Sequence, residues 1–347
     1  MDFCTLVWTP EDVRVITDLS VFTAKIAIPP KDRYWLGLYR DKAGVIYLRA
    51  KGNRQPFWIS RDGGLDFEPL APVPGNGEAI PGYRCKVHST AGVLTAVEGR
   101  HLWVYGEGGR WTRRKLPQEF HFRDVSIDPG GGAWFAGSVD SRRIPGEETE
   151  AAVRYQAEPG APFEPRSPRL NPLDGARLIR EGGLAELRTI DAEGPPVIAA
   201  SVCSWLLDDG SSFVFVFGPD RTHTRRLKGE MIRSIDRSDQ PGFRLFTCQG
   251  TVWQARGTRW EGRSMVGPIL KALCVSGRTI LVRAVDTCRK RIVAAVEASP
   301  PGAGGWAQDP EFTAVCVSLD GGKTFEMVHR FDFREGVEIQ DVTWLCH

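Results

Sequence analysis

The feature that most constrains the fold of this chain is an eight-residue pattern that occurs once near each end. It reads Ser-Arg-Asp-Gly-Gly-Leu-Asp-Phe over 60–67 and Ser-Leu-Asp-Gly-Gly-Lys-Thr-Phe over 318–325. An apolar run precedes each copy, and the shared Asp-Gly-Gly is typical of a tight turn. A pattern that recurs in this way predicts a repeat architecture, in which each copy belongs to one structural unit.

Other segments of the chain have the same strand–turn–strand layout. Short runs of β-branched and aromatic residues, bounded by Gly, Pro, Asp and Asn, recur throughout, and helical periodicity is scarce. Hairpins of this kind lie at 57–70, 101–113, 153–163, 213–225, 251–260 and 314–325. Their spacing matches the span of a four-stranded propeller blade, about 40–50 residues with insertions. The sequence therefore predicts an all-β chain built as a β-propeller.

The eight-residue pattern is similar to the Asp-box, or BNR repeat, of sialidase-like β-propellers. The resemblance is to the motif Ser-x-Asp-x-Gly-x-Thr-aromatic, with Asp66 in place of Thr in the first copy. It implies a structural role for these residues, in which the aspartate accepts hydrogen bonds within its own turn, glycine permits positive φ, and the aromatic residue packs between blades. The implied Asp-box residues are Ser60, Asp62, Gly64 and Phe67 in the first copy, and Ser318, Asp320, Gly322, Thr324 and Phe325 in the second.

The two ends of the chain predict how the propeller closes. Residues 338–346 look like a first strand without a second strand after it, whereas 4–9, 13–17 and 21–28 look like three strands that lack a first. Pairing the C-terminal strand with the N-terminal strands would leave no exposed sheet edge. We therefore expect one domain over 1–347 with seven four-stranded blades. One blade is shared by 1–30 and 335–347, and the others span roughly 31–75, 76–118, 119–170, 171–228, 229–268 and 269–334.

A catalytic site is not evident from the sequence. Sialidases of this fold use a nucleophilic tyrosine from the later blades, whereas the last tyrosine here is Tyr155. The segment Arg143-Ile144-Pro145 echoes a sialidase signature, but it follows the first Asp-box instead of preceding it. The histidines and cysteines show no metal-binding spacing, so no metal or cofactor is predicted. We expect a protein that is not an enzyme.

Composition narrows the classes of partner. The net charge of +2 gives no overall field that would attract nucleic acid or an anionic membrane. No apolar run is long enough to span a bilayer. The start of the chain does not look like a signal peptide, and most of the eight cysteines lie in apolar strand-like segments. These features predict a cytoplasmic protein with free thiols and with neither nucleic acid nor membrane as a partner.

Two insertions between second and third strands are candidates for a binding face. They are 139–151, which is dense in charge and contains Arg142 and Arg143, and 297–311, which is rich in Gly and Pro and contains Trp306 and Asp309. Long loops on a rigid scaffold and an exposed tryptophan are typical of recognition sites. We predict a non-catalytic scaffold or adaptor that binds a protein partner through this face, as bacterial assembly or immunity-type factors do by family analogy. The alternative is a propeller that binds or cleaves glycans with carboxylates of its central well. Asp341 and the pairs Asp208–Asp209 and Glu147–Glu148 are candidates for that chemistry, none with particular support.

Overall fold

The strands and their connections are described for only part of the chain. The computed structural model describes residues 3–8, 13–17, 21–23, 37–40, 44–49, 57–74, 85–88, 93–106, 109–116, 121–128, 130–140, 149–165, 186–190, 197–203, 212–217, 222–237, 242–256, 259–288, 290–301, 310–332 and 338–344. All structural statements below refer to these residues.

The described residues form short strands and one α-helix. In chain order the strands are β1 (Phe3–Trp8), β2 (Val13–Thr17), β3 (Val21–Thr23), β4 (Gly37–Arg40), β5 (Ile46–Arg49), β6 (Phe57–Ser60), β7 (Glu68–Pro69), β8 (Cys85–His88), β9 (Val93–Glu98), β10 (His101–Tyr105), β11 (Trp111–Lys115), β12 (His121–Ile127), β13 (Ala133–Asp140), β14 (Thr149–Gln156), β15 (Glu164–Pro165), β16 (Glu186–Ile190), β17 (Val197–Cys203), β18 (Ser212–Phe217), β19 (Thr222–Leu227), β20 (Ile232–Arg237), β21 (Phe243–Thr247), β22 (Thr251–Arg256), β23 (Arg259–Ser264), β24 (Thr279–Cys288), β25 (Arg291–Ser299), β26 (Phe312–Ser318), β27 (Glu326–Asp332) and β28 (Glu338–Trp344). The helix, α1 (Val266–Ala272), lies between β23 and β24.

The strands pair as antiparallel sheets of four, each made of strands that follow one another along the chain. The sheets are β4–β7, β8–β11, β12–β15, β16–β19, β20–β23 and β24–β27, and a further sheet has the order β28-β1-β2-β3. In that sheet β28 pairs with β1, for example Trp344 with Phe3 and Asp341 with Leu6. Consecutive four-stranded antiparallel sheets are the blades of a β-propeller.

The chain divides into two compact units. One comprises 1–72 and 233–347, and the other comprises 73–232. In the first unit the sheets pack face to face because β25 is buried on both faces. Ile292, Ala294 and Val296 join a core with Phe246 of β21 and Ile269 of α1. The alternate residues Val293 and Ala295 pack with Ile16 of β2.

The second unit has an equivalent core between two neighbouring sheets. Leu102 and Val104 of β10 pack against Val125 of β12 and Phe135 of β13. All four side chains are buried. Alternate residues of a strand point to opposite faces, so one face of β10 is fixed in this core and the other is directed away from it.

The predicted ring of seven four-stranded blades requires correction. The fold is an all-β propeller, but side-chain packing is described over most strands of only five sheets, β4–β7, β8–β11, β12–β15, β20–β23 and β24–β27. For β28-β1-β2-β3 and β16–β19 the structure gives mainly the pairing of the backbone. Their contribution to the described core is limited to a few side chains such as Ile16, Val214 and Leu227. The described residues therefore show five blades with a side-chain core instead of the predicted seven.

Helix α1 was not predicted. It occupies the connection from β23 to β24, where the residues show no clear strand pattern. Ile269 anchors it in the core between the sheets β20–β23 and β24–β27, with Val266 and Leu270 partly buried beside it. Its seven residues make only about two helical turns, which is too short to show a periodic apolar pattern, and sequence analysis therefore missed the helix.

Candidate partner-binding site

The connection from β25 to β26 leaves its sheet where the second strand meets the third. Residues 302–309 of this connection, including the predicted Trp306 and Asp309, lie outside the described residues. The structure does define both ends of the connection, because β25 ends at Ser299 and β26 begins at Phe312. The contacts of these two ends show how the connection is anchored in its sheet.

Glu311 fixes the returning end of the connection by two kinds of contact. Its backbone N–H donates to the Ala298 carbonyl oxygen at 2.8 Å, which extends the pairing of β25 and β26 by one step. Its side-chain Oε2 accepts a hydrogen bond from Arg278 Nε at 2.8 Å. Arg278 lies just before β24, so the loop end is tied to the first strand of its own sheet as well as to the second.

A second ion pair lies deeper in the same sheet. Arg283 of β24 contacts Glu297 of β25, with Nε 2.7 Å from Oε1. Glu297 is buried, whereas the side chain of Arg283 is 28% exposed. Opposite Glu297 on β26 lies Thr313, whose buried Oγ1 has no hydrogen-bond partner among the described residues. The pair stabilises a carboxylate that would otherwise be costly to bury.

The outer strand β27 adds a third charged pair at this end of the sheet. The guanidinium of Arg330 lies over the ring of the buried Phe312, 3.8 Å from its centroid. Arg330 Nη2 is also 3.2 Å from Oδ1 of Asp332. The base of the connection is thus lined by three arginines and three carboxylates that neutralise one another. Because these charges cancel, the end of the sheet beneath the connection is nearly neutral. Any electrostatic preference for a partner would therefore come from residues of the connection itself.

The other predicted loop leaves the sheet β12–β15 at the corresponding point. Strand β13 continues to Asp140 and β14 begins at Thr149, with Asp140 paired to Thr149. The insertion is therefore shorter than the predicted 139–151, since both of its ends are strand. Likewise, the predicted 297–311 overlaps β25 through Ser299. Arg142 and Arg143 lie outside the described residues, so their role stays a prediction.

Sequence analysis missed the pair between Arg283 and Glu297. It placed Glu297 at the start of the insertion 297–311, whereas the residue is buried within β25. The signal that it overlooked is the continuation of the run past this residue as Ala298-Ser299. The basic partner could not be found from spacing, because the register of β24 against β25 contains a bulge between Val282 and Ala284.

The two Asp-box-like turns have nearly the same hydrogen bonds. In the first, Ser60 Oγ donates to Asp62 Oδ1 at 2.7 Å and accepts from Gly64 N at 2.8 Å, and the N–H groups of Leu65 and Asp66 donate to Asp62 Oδ1 at 3.1 Å. In the second, Ser318, Asp320 and Gly322 repeat this geometry, with the N–H groups of Lys323 and Thr324 donating to Asp320 Oδ1. Thr324 Oγ1 adds a bond to Asp320 Oδ2 at 2.7 Å.

These bonds change the acidity of both aspartates. For Asp62, partial burial raises the pKa, but the hydrogen bonds from Ser60, Asp66 and Leu65 outweigh it, so the net pKa is lowered. For Asp320 the backbone and side-chain hydrogen bonds from Thr324 lower the pKa further. Gly64 and Gly322 have φ of 92° and 84°, in the region that favours glycine. The turns are structural, and membership of the Asp-box family stays a prediction.

The second turn also links two neighbouring sheets. Arg263, near the end of β23, donates through Nη2 to the Gly321 carbonyl oxygen. Phe325 packs against the core that the sheets β20–β23 and β24–β27 share. Residues of the Asp-box-like turn therefore contact the blade that precedes their own.

The described residues give little support to a hydrolytic site. Asp124 and Asp286 lie on the first strands of their sheets, and each accepts a hydrogen bond from the next backbone N–H of its own strand at 2.8 Å. Tyr155 packs on Trp134 with ring centroids 4.6 Å apart, and its hydroxyl lies 3.5 Å from Asp128 Oδ2. Within the described ranges, no group of three or more His, Cys, Asp or Glu side chains is placed to bind a metal ion.

Two further properties of the described residues are the burial of their cysteines and the length of their helix. Cys85, Cys248 and Cys316 are buried free thiols, and Cys274 is an exposed one. Burial raises the pKa of Cys316 to about 12, so this thiol is unreactive. In the part of the chain with described structure, no helix has the length and apolar character needed to cross a bilayer.

Comparison with known proteins supports the fold. No family model matches the chain, and no relative was found among curated proteins. A solved protein from Lactobacillus plantarum is similar over 95% of this chain and 96% of its own, with a TM-score of 0.51 and 10% identity. The C-terminal WD40 domain of Sif2 is similar over 100% of this chain and 92% of its own, with a TM-score of 0.50 and 10% identity.

WD40 domains are β-propellers, so this likeness and the sheet topology together assign the chain to the β-propeller fold. YCF48 bound to a D1 peptide is also similar, over 88% of this chain and 86% of its own at 13% identity. Its TM-score of 0.44 is too low to carry an argument about this chain. At such identities the comparisons show the fold alone.

Proposed function

We propose that this protein is a non-catalytic β-propeller scaffold that binds a protein partner through the connections at 141–148 and 302–309. Arg142 and Arg143 of the first connection, and Trp306 and Asp309 of the second, are the residues that would contact the partner. The proposal includes a cytoplasmic location, in keeping with the free thiols. An assembly or immunity-type role in a bacterium is its more specific form.

The observation that carries this proposal is the anchoring of the second connection. Its two ends are held by the β25–β26 pairing, by the ion pair of Arg278 with Glu311, and by the packing of Phe312 beneath Arg330. Eight residues, Gly-Ala-Gly-Gly-Trp-Ala-Gln-Asp, extend from this fixed base. A tryptophan in a glycine-rich segment on a rigid scaffold fits the pattern of interface hot spots, which are enriched in Trp and Arg.

Quantitative co-purification from the native host would test this function. Tagged wild-type protein is expected to recover a specific partner in near-stoichiometric amount. Two variants are expected to lose it: Trp306→Ala with Asp309→Ala, and the replacement of 302–309 by a Gly-Ser segment of equal length. Both retain Glu311 and Arg278, so the β-sheet signal in circular dichroism should not change.

The matched control is Leu319→Ser in the second Asp-box-like turn. Leu319 is 54% exposed, and it lies at the opposite end of the same sheet. The control should recover the partner as well as the wild type does. Equal recovery by the loop variants and the wild type, or loss of the partner in the Leu319→Ser control alone, would show that the connection is not the binding site.

A further inference from the structure

One face of the β10–β11 hairpin combines aromatic and basic side chains. The strand register pairs Tyr105 with Trp111, Trp103 with Arg113 and His101 with Lys115, so these six residues lie on one face of the sheet. The rings of Tyr105 and Trp111 are in contact, with centroids 5.2 Å apart. We call these six residues the β10–β11 face.

The opposite face of the hairpin is buried and holds the strands in place. Leu102 and Val104 lie in the core shared with β12 and β13. Arg114 of β11 also belongs to this opposite side, and its Nη2 donates to the Gly131 carbonyl oxygen at 2.9 Å. The β10–β11 face is therefore presented by a rigid element whose other side is fixed to the next sheet.

The basic residues of the β10–β11 face make no ion pair within the described part of the chain, and Glu98, opposite His101, accepts a hydrogen bond from Trp103 Nε1 at 3.3 Å. Arg113 and Lys115 are exposed, and neither has an ion-pair partner among the described residues. The same holds for Arg100 and Arg110, which flank the two strands. Residues 98–115 contain five Lys or Arg and two Glu, so this region has a local positive charge in a nearly neutral protein.

Four of the other described outer strands handle charge differently. Strands β7 and β15 each have two residues, and the second is a proline, which cannot donate to an added strand. On β23, Arg259 is 2.6 Å from Glu261, and on β27, Arg330 is paired with Asp332. Strand β11 is five residues long, without proline and without an acidic residue.

Strand β11 also ends its sheet, whose order is β11-β10-β9-β8. One edge of its backbone is therefore not paired with a strand of its own sheet. An extended segment of another protein can bind to such an edge through main-chain hydrogen bonds, while alternate side chains supply specificity. On an added strand, the positions opposite Arg113 and Lys115 would be two residues apart and on the same face.

We propose that the free edge of β11 binds an extended acidic segment of another protein as a fifth strand. Acidic residues at alternate positions of that segment pair with Arg113 and Lys115, and an apolar residue two positions further contacts Trp111. Basic residues on an edge strand also protect against unwanted pairing. That role alone does not require a tryptophan that packs against a tyrosine beside the basic residues, since exposed aromatic surface favours association.

Two synthetic peptides with blocked ends would test the proposed edge. One has the core Glu-Thr-Glu-Thr-Val-Thr, in which both glutamates and the valine lie on one face of the strand, and the other has the same composition with adjacent glutamates, Glu-Glu-Thr-Thr-Val-Thr. Fluorescence anisotropy at low salt should show that the alternating peptide binds the full chain more tightly than the adjacent one. A double variant, Arg113→Glu with Lys115→Glu, should weaken the alternating peptide by about 30-fold, because two attractive cross-strand pairs become repulsive.

The matched control is Lys228→Glu with Lys323→Glu. Both lysines are exposed in turns, and the change in net charge is the same. This control should bind the alternating peptide within about twofold of the wild type, since surface charges that do not pair with the peptide act only through a weak, screened field. Circular dichroism and thermal unfolding of both double variants show whether each is folded.

Three outcomes would overturn the proposal. The first is equal binding of the two peptides, or no binding of either by the folded wild type. The second is equal weakening in the β11 variant and the control, which would indicate attraction by net charge alone. The third is tighter binding of a single-stranded RNA oligomer or of anionic lipid vesicles that is lost in the same β11 variant. This result would assign the surface to another class of ligand.

Discussion

The sheets β24–β27 and β8–β11 both carry arginines, but they differ in whether these arginines have carboxylate partners. In β24–β27 each of Arg278, Arg283 and Arg330 has a carboxylate partner within the same sheet or its flanks. In β8–β11 the exposed Arg113 and Lys115 have no partner among the described residues. The same residue type therefore stabilises the fold in one sheet and remains available for another molecule in the other.

The difference in ion pairing between the two sheets follows from burial. Glu297 is a charged residue buried within its sheet, and a charge buried there is stabilised by a partner within the fold. Arg113 and Lys115 are hydrated, so nothing in the fold requires them to be paired. Charge that a fold does not need for its own stability is a better indicator of a binding surface than charge as such. The predictions below test this distinction from the largest expected effect to the smallest.

The largest effect is expected for Glu297→Ala in β25. The substitution leaves Arg283 without its partner and removes the charged side of a buried pair. Breaking a fully buried pair costs about 3–5 kcal/mol, and the partial exposure of Arg283 reduces this to about 2 kcal/mol. Urea unfolding should show a lower midpoint with an unchanged m-value.

Glu311→Ala is the matched control for that substitution. The Glu311 side chain in the pair with Arg278 is more than one third exposed. Removing this ion pair should therefore lower the free energy of unfolding by less than about 1 kcal/mol. A loss of stability for Glu297→Ala no greater than that for Glu311→Ala would show that the deeper pair is not structural. The contrast between the two sheets would then lose its basis.

An acid-dependent effect is expected at Asp320. Its pKa in the folded protein lies below the ordinary value of about 3.9. The ionised carboxylate therefore stabilises the fold above that value, and this contribution is lost as the pH falls through about 4 towards the folded pKa. The difference in melting temperature between wild type and Asp320→Asn should be constant from pH 7 to about pH 5 and should shrink below pH 4.

Lys323→Gln serves as a control for Asp320→Asn because it lies in the same turn. It keeps the backbone N–H that donates to Asp320 Oδ1. Its melting temperature should follow that of the wild type across the same range of pH. A constant difference between wild type and Asp320→Asn down to pH 2 would show that the turn does not depend on ionised Asp320.

The strand-and-turn content of the chain could be predicted from its sequence, and the reason is local. Asp-Gly-Gly turns, β-branched runs and their spacing report conformations set by residues close in the sequence. The hydrogen bonds of Asp62 and Asp320 belong to this class, because both partners lie within four residues. The blade count, in contrast, depends on packing between sheets, and the described residues show a side-chain core in five blades instead of the predicted seven.

The candidate binding surfaces were harder to predict for the opposite reason. The pairing of Arg283 with Glu297 depends on a bulge in β24, and the alignment of Trp111 with Tyr105 depends on the register of a hairpin. Neither has a local sequence signal. Residue types alone favour an ordinary solvent-exposed strand face for Arg113 and Lys115, and the absence of an ion-pair partner among the described residues distinguishes these two side chains.

A small gain in stability is expected for Asp66→Thr in the first Asp-box-like turn. Thr324 in the second turn donates its hydroxyl to Asp320 Oδ2, a bond that the first turn lacks. A threonine at 66 would supply it to Asp62 and would also remove a neighbouring negative charge. One exposed hydrogen bond adds about 0.5 kcal/mol, measurable as a higher urea midpoint. The reverse change, Thr324→Asp, should destabilise the second turn, and a gain there would contradict the assigned geometry.

The smallest effect is expected for the double variant Arg113→Ala with Lys115→Ala. These residues make no ion pair that the fold depends on, so the free energy of unfolding should change by less than about 0.5 kcal/mol. The long side chains could still cover apolar surface of Trp111 with their methylene groups, and such packing would appear as a loss of stability without any dependence on salt. Urea unfolding at low and high salt separates these contributions. A loss above about 1 kcal/mol that disappears at high salt would reveal a structural role for the two charges. The basic strand would then resemble β24–β27 and would no longer differ from it as a surface open to a partner.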